Sequence, residues 1–243
     1  MPSPRPFPSA RAVIFDYRNT LIEFGPAQMN AQFTELHNTL ERVAGPCDAR
    51  HLRRVRDRQV VAPYHRDFRE NDFREVAIEL IRELYLREPS GEEIREVMDA
   101  RYRSFLGSIT RPEGVADLLR ELRQTYRLAL LSNYPCGDSI RESLRNTGLA
   151  EHLEVVVVSG DIGWVKPHPE PFRVVREQLG VPAEDCVFVG DNWLADVQGA
   201  KRAGMKSVYI TQHESYERFE PAPGDHQPDA RIEHLMELRT LLG

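Results

Sequence analysis

The sequence is poor in lysine. Of its 32 basic residues only Lys166, Lys201 and Lys206 are lysines, and the remainder are arginine. Such a bias reads first as genome composition, and it makes any lysine in the chain easy to follow. Cysteine is also scarce. Cys47, Cys136 and Cys186 are odd in number and share no metal-type spacing, which argues against a disulfide framework or zinc site and suggests a reducing, cytoplasmic setting. No apolar run approaches the ~18 residues of a membrane span. Prolines at 2, 4, 6 and 8 with no apolar stretch among them exclude a signal peptide or anchor, so residues 1–9 read as a loose polar arm. A basic excess is missing too: the net charge of −6 gives no support for nucleic-acid binding. What is present is a 243-residue chain, 41% hydrophobic and 29% charged, enough for one large globular domain or a core with an insert.

Five short, β-branched-rich runs stand out: Ala12–Phe15, Leu128–Leu131, Val155–Val158, Val187–Val189 and Val208–Ile210. Each is nearly continuous, as expected of strands buried on both faces of a parallel sheet. Helical patterns separate the last four. They cover Val115–Arg123, Ser139–Asn146 behind Asp138 as N-cap, Pro171–Leu179 and Leu194–Ala203. A short Ala230–Ile232 run and a helix to Leu242 close the chain, and residues 213–229 read as a surface loop. The alternation predicts a doubly wound, Rossmann-like α/β core. Residues 23–106 break it. They read as helices over about Ala27–Val43, Ala49–Arg58 and Glu70–Leu86, then a fourth from Ser90, where Glu93 completes a capping box. The expected organisation is therefore a core of residues 10–22 and 107–243 with an inserted α-helical cap of residues 23–106.

Ligands of open α/β sheets bind beyond the carboxyl ends of the strands. After the first run comes Asp16-Tyr17-Arg18-Asn19-Thr20, and after the second Ser132-Asn133. After the third, across a loop, comes Lys166-Pro167. After the fourth comes Gly190-Asp191-Asn192-Trp193-Leu194-Ala195-Asp196. Three carboxylates, a hydroxyl and a rare lysine thus converge on one edge. Asp after a strand is often only a helix cap, but four such segments in register are hard to attribute to chance. Asp16 can serve as a nucleophile, Asp191 and Asp196 can hold a hard cation, and Ser132 and Lys166 can bind an anion.

In these four ordered segments the chain resembles the haloacid dehalogenase-like superfamily over nearly its whole length. The matching motifs are Phe15-Asp16-x-x-x-Thr20-Leu21, Leu131-Ser132-Asn133, Lys166-Pro167 and Val189-Gly190-Asp191-x-x-x-x-Asp196. The resemblance implies that Asp16 attacks an electrophile and forms an aspartyl ester. It implies, in the phosphatase branch, Mg²⁺ held by Asp16, the Arg18 backbone carbonyl, Asp191 and Asp196. It also implies that Ser132 and Lys166 meet the phosphoryl oxygens and that Lys166 orients Asp16; Arg18, Ser132 and Asn133 are the expected substrate-binding set. The departure is at position 18, where family phosphatases carry a second aspartate as general acid and base. Arginine delivers no proton near neutral pH, and losing such a group costs ~10²–10⁴ in rate. Asn19 also replaces the usual glycine. Tyr17, Glu23 or a cap side chain are the candidates to supply the proton instead. Metal-free dehalogenases replace the first motif-four acid with a small polar residue, which Asp191 argues against. A cap-lysine Schiff base is excluded, because residues 23–106 hold no lysine.

The reading is an Mg²⁺-dependent hydrolase, a phosphatase of a small anionic metabolite, acting as monomer or homodimer without nucleic-acid or membrane partners. A non-catalytic or repurposed member, or a hydrolase or transferase of a non-phosphate electrophile, is the alternative. Eight arginines between positions 50 and 74 read as a solvated helix face, or as a cationic surface that recruits an anion. Trp164 and Trp193 could line an entrance or pack internally. His168, beside Lys166, could support the site, though a lone histidine is more often structural; Cys136 follows the second motif and could lie near the site, with nothing to indicate an activated thiol.

Overall fold

The computed structural model describes residues 7–213 and 221–242. The chain runs β1 (Ala12–Phe15), α1 (Pro26–Ala44), α2 (Ala49–Val61), α3 (Phe73–Tyr85), α4 (Gly91–Ser108), α5 (Val115–Leu122), β2 (Arg127–Ser132), α6 (Gly137–Thr147) and β3 (Val155–Val158). It continues through α7 (Ser159–Ile162), α8 (Pro169–Leu179), β4 (Cys186–Gly190), a wide turn over Trp193–Gln198, α9 (Gly199–Arg202), β5 (Lys206–Ile210), β6 (Ala230–Ile232) and α10 (Leu238–Leu242). The six strands form one parallel sheet in the order β3-β2-β1-β4-β5-β6. This is the expected doubly wound α/β core. All five apolar runs are strands, and Ala230–Ile232 is a sixth at the edge.

Alternation along β1 explains how the sheet is covered. Val13 and Phe15 enter one apolar cluster, with Leu118, Leu119, Ile140 and Leu144 of α5 and α6. Ala12 and Ile14 enter the cluster on the other face, with Phe172, Val175 and Leu179 of α8. β1 is central, and the chain leaves it toward β2 on one side and β4 on the other. That reversal opens a crevice at the carboxyl ends of β1, β2 and β4.

Helices α1–α4 lie between β1 and α5 and hold no strand of the sheet among the described residues. They have their own apolar cluster, including Leu36, Leu40, Leu52, Ala77, Ile81 and Val97. Phe105 of α4 reaches out of this unit into the main core, its ring 4.6 Å from that of Tyr134 and 5.9 Å from that of Phe24.

Four expectations are corrected. Residues 1–6 of the supposed arm lie outside the described residues, but Phe7 is buried in the core and its carbonyl accepts a bond from the Ala10 N–H at 3.2 Å. The third helix starts at Phe73 and not at Glu70: Asp72 caps it, and Asp67 and Phe68 take left-handed backbone that no helix accommodates. Helix α6 starts two residues earlier than its acidic signal suggests. Cys136 is its N-cap and Asp138 sits in the first turn, because Gly137 admits the Asp161 carboxylate where a Cβ would lie 2.2 Å from Oδ1. The helix expected over Leu194–Ala203 is a wide turn followed by the short α9. Of the loop expected over residues 213–229, positions 214–220 lie outside the described residues.

Helix α4 carries the expected capping box. Ser90 Oγ accepts from the Glu93 N–H and Glu93 accepts from the Ser90 N–H at 2.7 Å. Arg87 adds an ion pair, and first this pairing, then the Ser90 N–H, pulls the Glu93 carboxyl down from 4.5 to about 2. A depressed carboxyl pKa contributes stability that is present above 4.5 and lost as pH falls toward 2. Glu93→Gln should therefore lower the melting temperature at pH 7, and the gap between variant and parent should close between pH 4.5 and pH 2 in melts followed by circular dichroism.

Candidate active site

The crevice is roofed by the inserted helices and encloses a cavity of about 180 Å³. Pockets that take drug-sized ligands run to ~300–1,000 Å³, so the space suits a small metabolite. Its floor is Asp16, Lys166, Asp191 and Asp196, and its roof includes Arg56, Gln59, Asn71 and Arg101.

Asp16 follows β1 directly, and its N–H still donates to Val189 O of β4 at 2.9 Å, so the sheet fixes its backbone. The next turn folds back, with Leu21 N–H on Tyr17 O and Asn19 N–H on Ile22 O. Asn19 has φ 58°, and its side chain accepts from the Phe24 N–H at 2.9 Å. Asparagine tolerates this left-handed position better than other side chains. That accounts for the departure from the family's glycine.

Lys166 is buried, and its three N–H groups are all engaged. They donate to Asp16 Oδ1 at 2.6 Å, Asp196 Oδ1 at 2.7 Å and Leu131 O at 2.9 Å. Burial pulls its pKa down, but Asp16 and Asp196 outweigh that and the net shift is upward. As an ammonium it orients both carboxylates, and an incoming anion could bond it only by exchange.

Asp196 is held by the wide turn. Asn192 O accepts from the N–H groups of Asp196 and Val197 at 2.9 and 3.2 Å, and Asn192 Oδ1 accepts from the Ala195 N–H at 2.8 Å. The Asn192 N–H donates back to Asp196 Oδ2 at 2.9 Å. Bulged turns of this kind often mark functional sites. Burial raises the Asp196 carboxyl to about 6, with Lys166 opposing and Asp16 adding to the rise.

Asp16, Asp191 and Asp196 each offer an oxygen, all within 4.8 Å of one another. Three carboxylates against one ammonium leave two negative charges when all are ionised. This oxygen donor set and charge fit a hard divalent cation.

The family model for haloacid dehalogenase-like hydrolases matches residues 10–204. The chain belongs to this family. The hydrolase is 34% identical to the phosphoserine phosphatase of Thermus thermophilus over 182 residues, 74% of this chain and 67% of that one. It is 34% identical to the human N-acylneuraminate-9-phosphatase over 140 residues, 56% of this chain and 54% of that protein. Its fold is similar to the crystal structure of a 2-haloacid dehalogenase from Pseudomonas syringae, with TM-score 0.72 and 25% identity, covering 96% of this chain and 98% of that one.

The remaining expected residues fall as follows. Arg18 lines the cavity, its guanidinium carbon 5.2 Å from the Phe24 ring centre. Asn133 also lines it, but its amide binds the Lys166 backbone, donating to O at 3.0 Å and accepting from N–H at 2.8 Å. Ser132 is buried at the end of β2, outside the cavity lining. Neither proton source named near position 18 reaches the site. Tyr17 is buried with its hydroxyl 2.6 Å from Ser143 Oγ, and burial pushes it up to about 12. Glu23 borders a separate cavity with His213 and His234. The lining carboxylate from the inserted helical unit is Glu70, which accepts from Ser159 Oγ at 2.5 Å and the Asn71 N–H at 2.7 Å.

Trp164 packs between His168, at 3.9 Å, and Arg69, at 3.5 Å, while His168 caps α8. Buried Trp193 donates to Asp225 Oδ2 at 2.8 Å. Neither tryptophan lines the cavity. Of the eight arginines only Arg56 does; Arg58 pairs with Glu83 and Arg53 stacks on Phe33. Arg101 and Gln59 escaped the sequence reading. The signal was there: Arg101 continues the Ile94, Val97 stripe at helical spacing toward Phe105, so a charge falls on the inner face of α4.

Gly190 ends β4 against Asp196. A Cβ there would lie 2.3 Å from Asp196 Oδ2 and 2.7 Å from its Cβ, so Asp196 would have to move. Gly190→Ala should cost ~1–3 kcal/mol of stability in urea denaturation, the usual scale of overpacking. Gly107→Ala, on the exposed side of α4 with no atom within 4 Å, should instead gain ~0.5–1 kcal/mol.

Proposed function

We propose that the hydrolase is a phosphatase that removes a phosphoryl group from a small metabolite by way of Asp16. The observation that carries this reading is the Lys166 ammonium bound to Asp16 and Asp196 beside a third carboxylate, Asp191. Asp16 Oδ1 is occupied by Lys166, and Oδ2 makes no hydrogen bond among the described residues. Oδ2 is thus the nucleophile. It attacks phosphorus, the bond to the ester oxygen breaks, and the leaving group departs. Water then attacks the aspartyl phosphate, frees inorganic phosphate and restores the carboxylate.

The three carboxylates and the Arg18 backbone carbonyl would hold Mg²⁺, which supplies positive charge to the phosphoryl oxygens. Lys166 keeps Asp16 and Asp196 in place, and Asn133 keeps Lys166 in place. Residues 23–106 act as a cap over the core of residues 10–22 and 107–243, and exclude water. The relatives named above as phosphatases support this chemistry. The likeness to a dehalogenase is one of fold, and Asp191 supplies the third negative charge that a cation would balance.

Arg18 can donate hydrogen bonds but not a proton. Turnover should therefore depend steeply on the leaving group, with acyl and enol phosphates favoured over alkyl esters. The free cysteines support a reducing, cytoplasmic setting, and among the described residues no helix is long and apolar enough to cross a membrane. The partner is a small anionic metabolite and no nucleic acid or membrane, and the enzyme works as a monomer or homodimer.

A phosphate-release panel with and without Mg²⁺ tests the reading. Release should require the metal and vanish in Asp16→Asn; no release from any acyl, enol or alkyl phosphate would refute it. Arg18→Asp restores an acid at the family's position and should raise kcat on an alkyl phosphate by up to ~10²–10⁴ while changing an acyl phosphate little.

A further inference from the structure

The roof of the cavity carries two arginine charges, with Glu70 the one carboxylate from the helical unit in the lining. Arg56 of α2 and Arg101 of α4 both line the cavity. Neither forms a salt bridge with a carboxylate among the described residues. Each has a ring nearby: Arg56 lies 5.8 Å from the Phe33 centre and Arg101 5.6 Å from that of Phe73, while Asp57 acts on Arg56 through space. Arg101 Nε is sealed from solvent and has no hydrogen-bond partner. Glu70 is within electrostatic reach of Arg101, but Ser159 and Asn71 already donate to its two oxygens.

The two guanidinium groups are within electrostatic reach of one another. Each is close enough to Tyr134 to bias its hydroxyl, and Arg101 acts on Arg56 in the same way. Burial is the first cause that depresses the pKa of both, and for Arg56 the charge of Arg101 is the second. Gln59, one helical turn after Arg56, presents another orphan. Its Nε2 donates to Val76 O at 3.0 Å, while its buried Oε1 has no partner. A folded chain rarely leaves a buried donor and a buried acceptor unmade in one cavity. Two like charges beside them add repulsion. An oxyanion under the roof would offset the repulsion between the two guanidinium charges. A planar guanidinium meets a carboxylate or phosphoryl group through paired hydrogen bonds.

We propose that Arg56 and Arg101 form a second oxyanion subsite, with Gln59 beside them in the lining. The substrate is then a small phosphate ester that carries a carboxylate or second phosphoryl group at its other end. The phosphoryl under attack lies on the floor at Asp16 and the second anion under the roof. This rests on the phosphatase reading of Asp16, and it names the class of substrate that reading leaves open.

The test uses propyl phosphate, the phosphate ester of 3-hydroxypropanoate and 1,3-propanediol bisphosphate, which share a carbon chain and differ at the far end. The parent should prefer one or both anionic esters by ~10–100-fold in kcat/KM, the scale of a hydrogen bond to a charged group. The two esters separate the carboxylate source from the phosphoryl source. Arg56→Met and Arg101→Met should each erode the preference, mainly through KM, and leave propyl phosphate within about threefold of the parent. Replacing an unpaired buried charge should also raise the melting temperature of the ligand-free protein, which a merely structural arginine would not do. Binding of non-hydrolysable 4-phosphonobutanoate against butylphosphonate, by calorimetry in the presence of Mg²⁺, gives a readout free of turnover. Stronger binding of the carboxylated ligand, lost in Arg101→Met, supports the subsite even if no ester is hydrolysed. Hydrolysis of all three esters without preference overturns the subsite and leaves the phosphatase reading intact, and so does equal binding of the two phosphonates when 1,3-propanebisphosphonate also binds no more tightly than butylphosphonate.

Discussion

Everything on the floor of the site depends on one buried ammonium. Lys166 brings Asp16 of the first strand end and Asp196 of the turn after β4 to within hydrogen-bond distance of a single nitrogen. Leu131 O at the end of β2 takes its third N–H. Breaking a buried ion pair by removing one partner typically costs ~3–5 kcal/mol, so this contact also ties the sheet edge together. The chain can afford no error in placing it. The backbone of Lys166 is accordingly clamped by both ends of the Asn133 amide.

The same contact sets the polarity of the cavity. Three carboxylates outweigh one ammonium on the floor, and arginines dominate the roof. The two halves come from different parts of the architecture. The floor is built from strand ends, whose positions the hydrogen-bonded sheet fixes. The roof is built from helical faces that pack on their own apolar cluster and can vary without disturbing the sheet. The carboxylates and the arginines that face each other across the cavity thus belong to separate structural units.

The two units are nonetheless joined closely. Segment 66–71 crosses to the loop before Lys166, where Arg69 bridges Trp164 and stacks on its ring. The Val165 N–H donates to Phe68 O at 2.9 Å and the Glu70 N–H to Gly163 O at 3.1 Å. Phe105 makes the second junction, through Phe24 and Tyr134. The residues next to Lys166 are therefore tied to the helical unit through backbone hydrogen bonds.

The sequence by itself determined the layout of the core. Continuous β-branched runs can only be strands buried on both faces, and the residues after them must meet at one sheet edge. Asp16, Lys166, Asp191 and Asp196 were legible for that reason, as was the helical nature of residues 26–108. Position 19 was legible as a departure, and the left-handed backbone there gives its cause. Tertiary structure decided what periodicity does not encode. Tyr17 and Glu23 are neighbours of the nucleophile in sequence, yet one is turned into the core toward Ser143 and the other faces a different cavity. Segment 70–72 has helical composition, but the Glu70 N–H bonds the loop before Lys166 and Asp72 caps the helix that follows. Arg56 and Arg101 are ordinary in an arginine-rich chain, and become distinctive only when packing places both in the lining of one cavity with neither in a salt bridge among the described residues. Local sequence sets which backbone forms, whereas the burial and pairing of a charge depend on residues far along the chain.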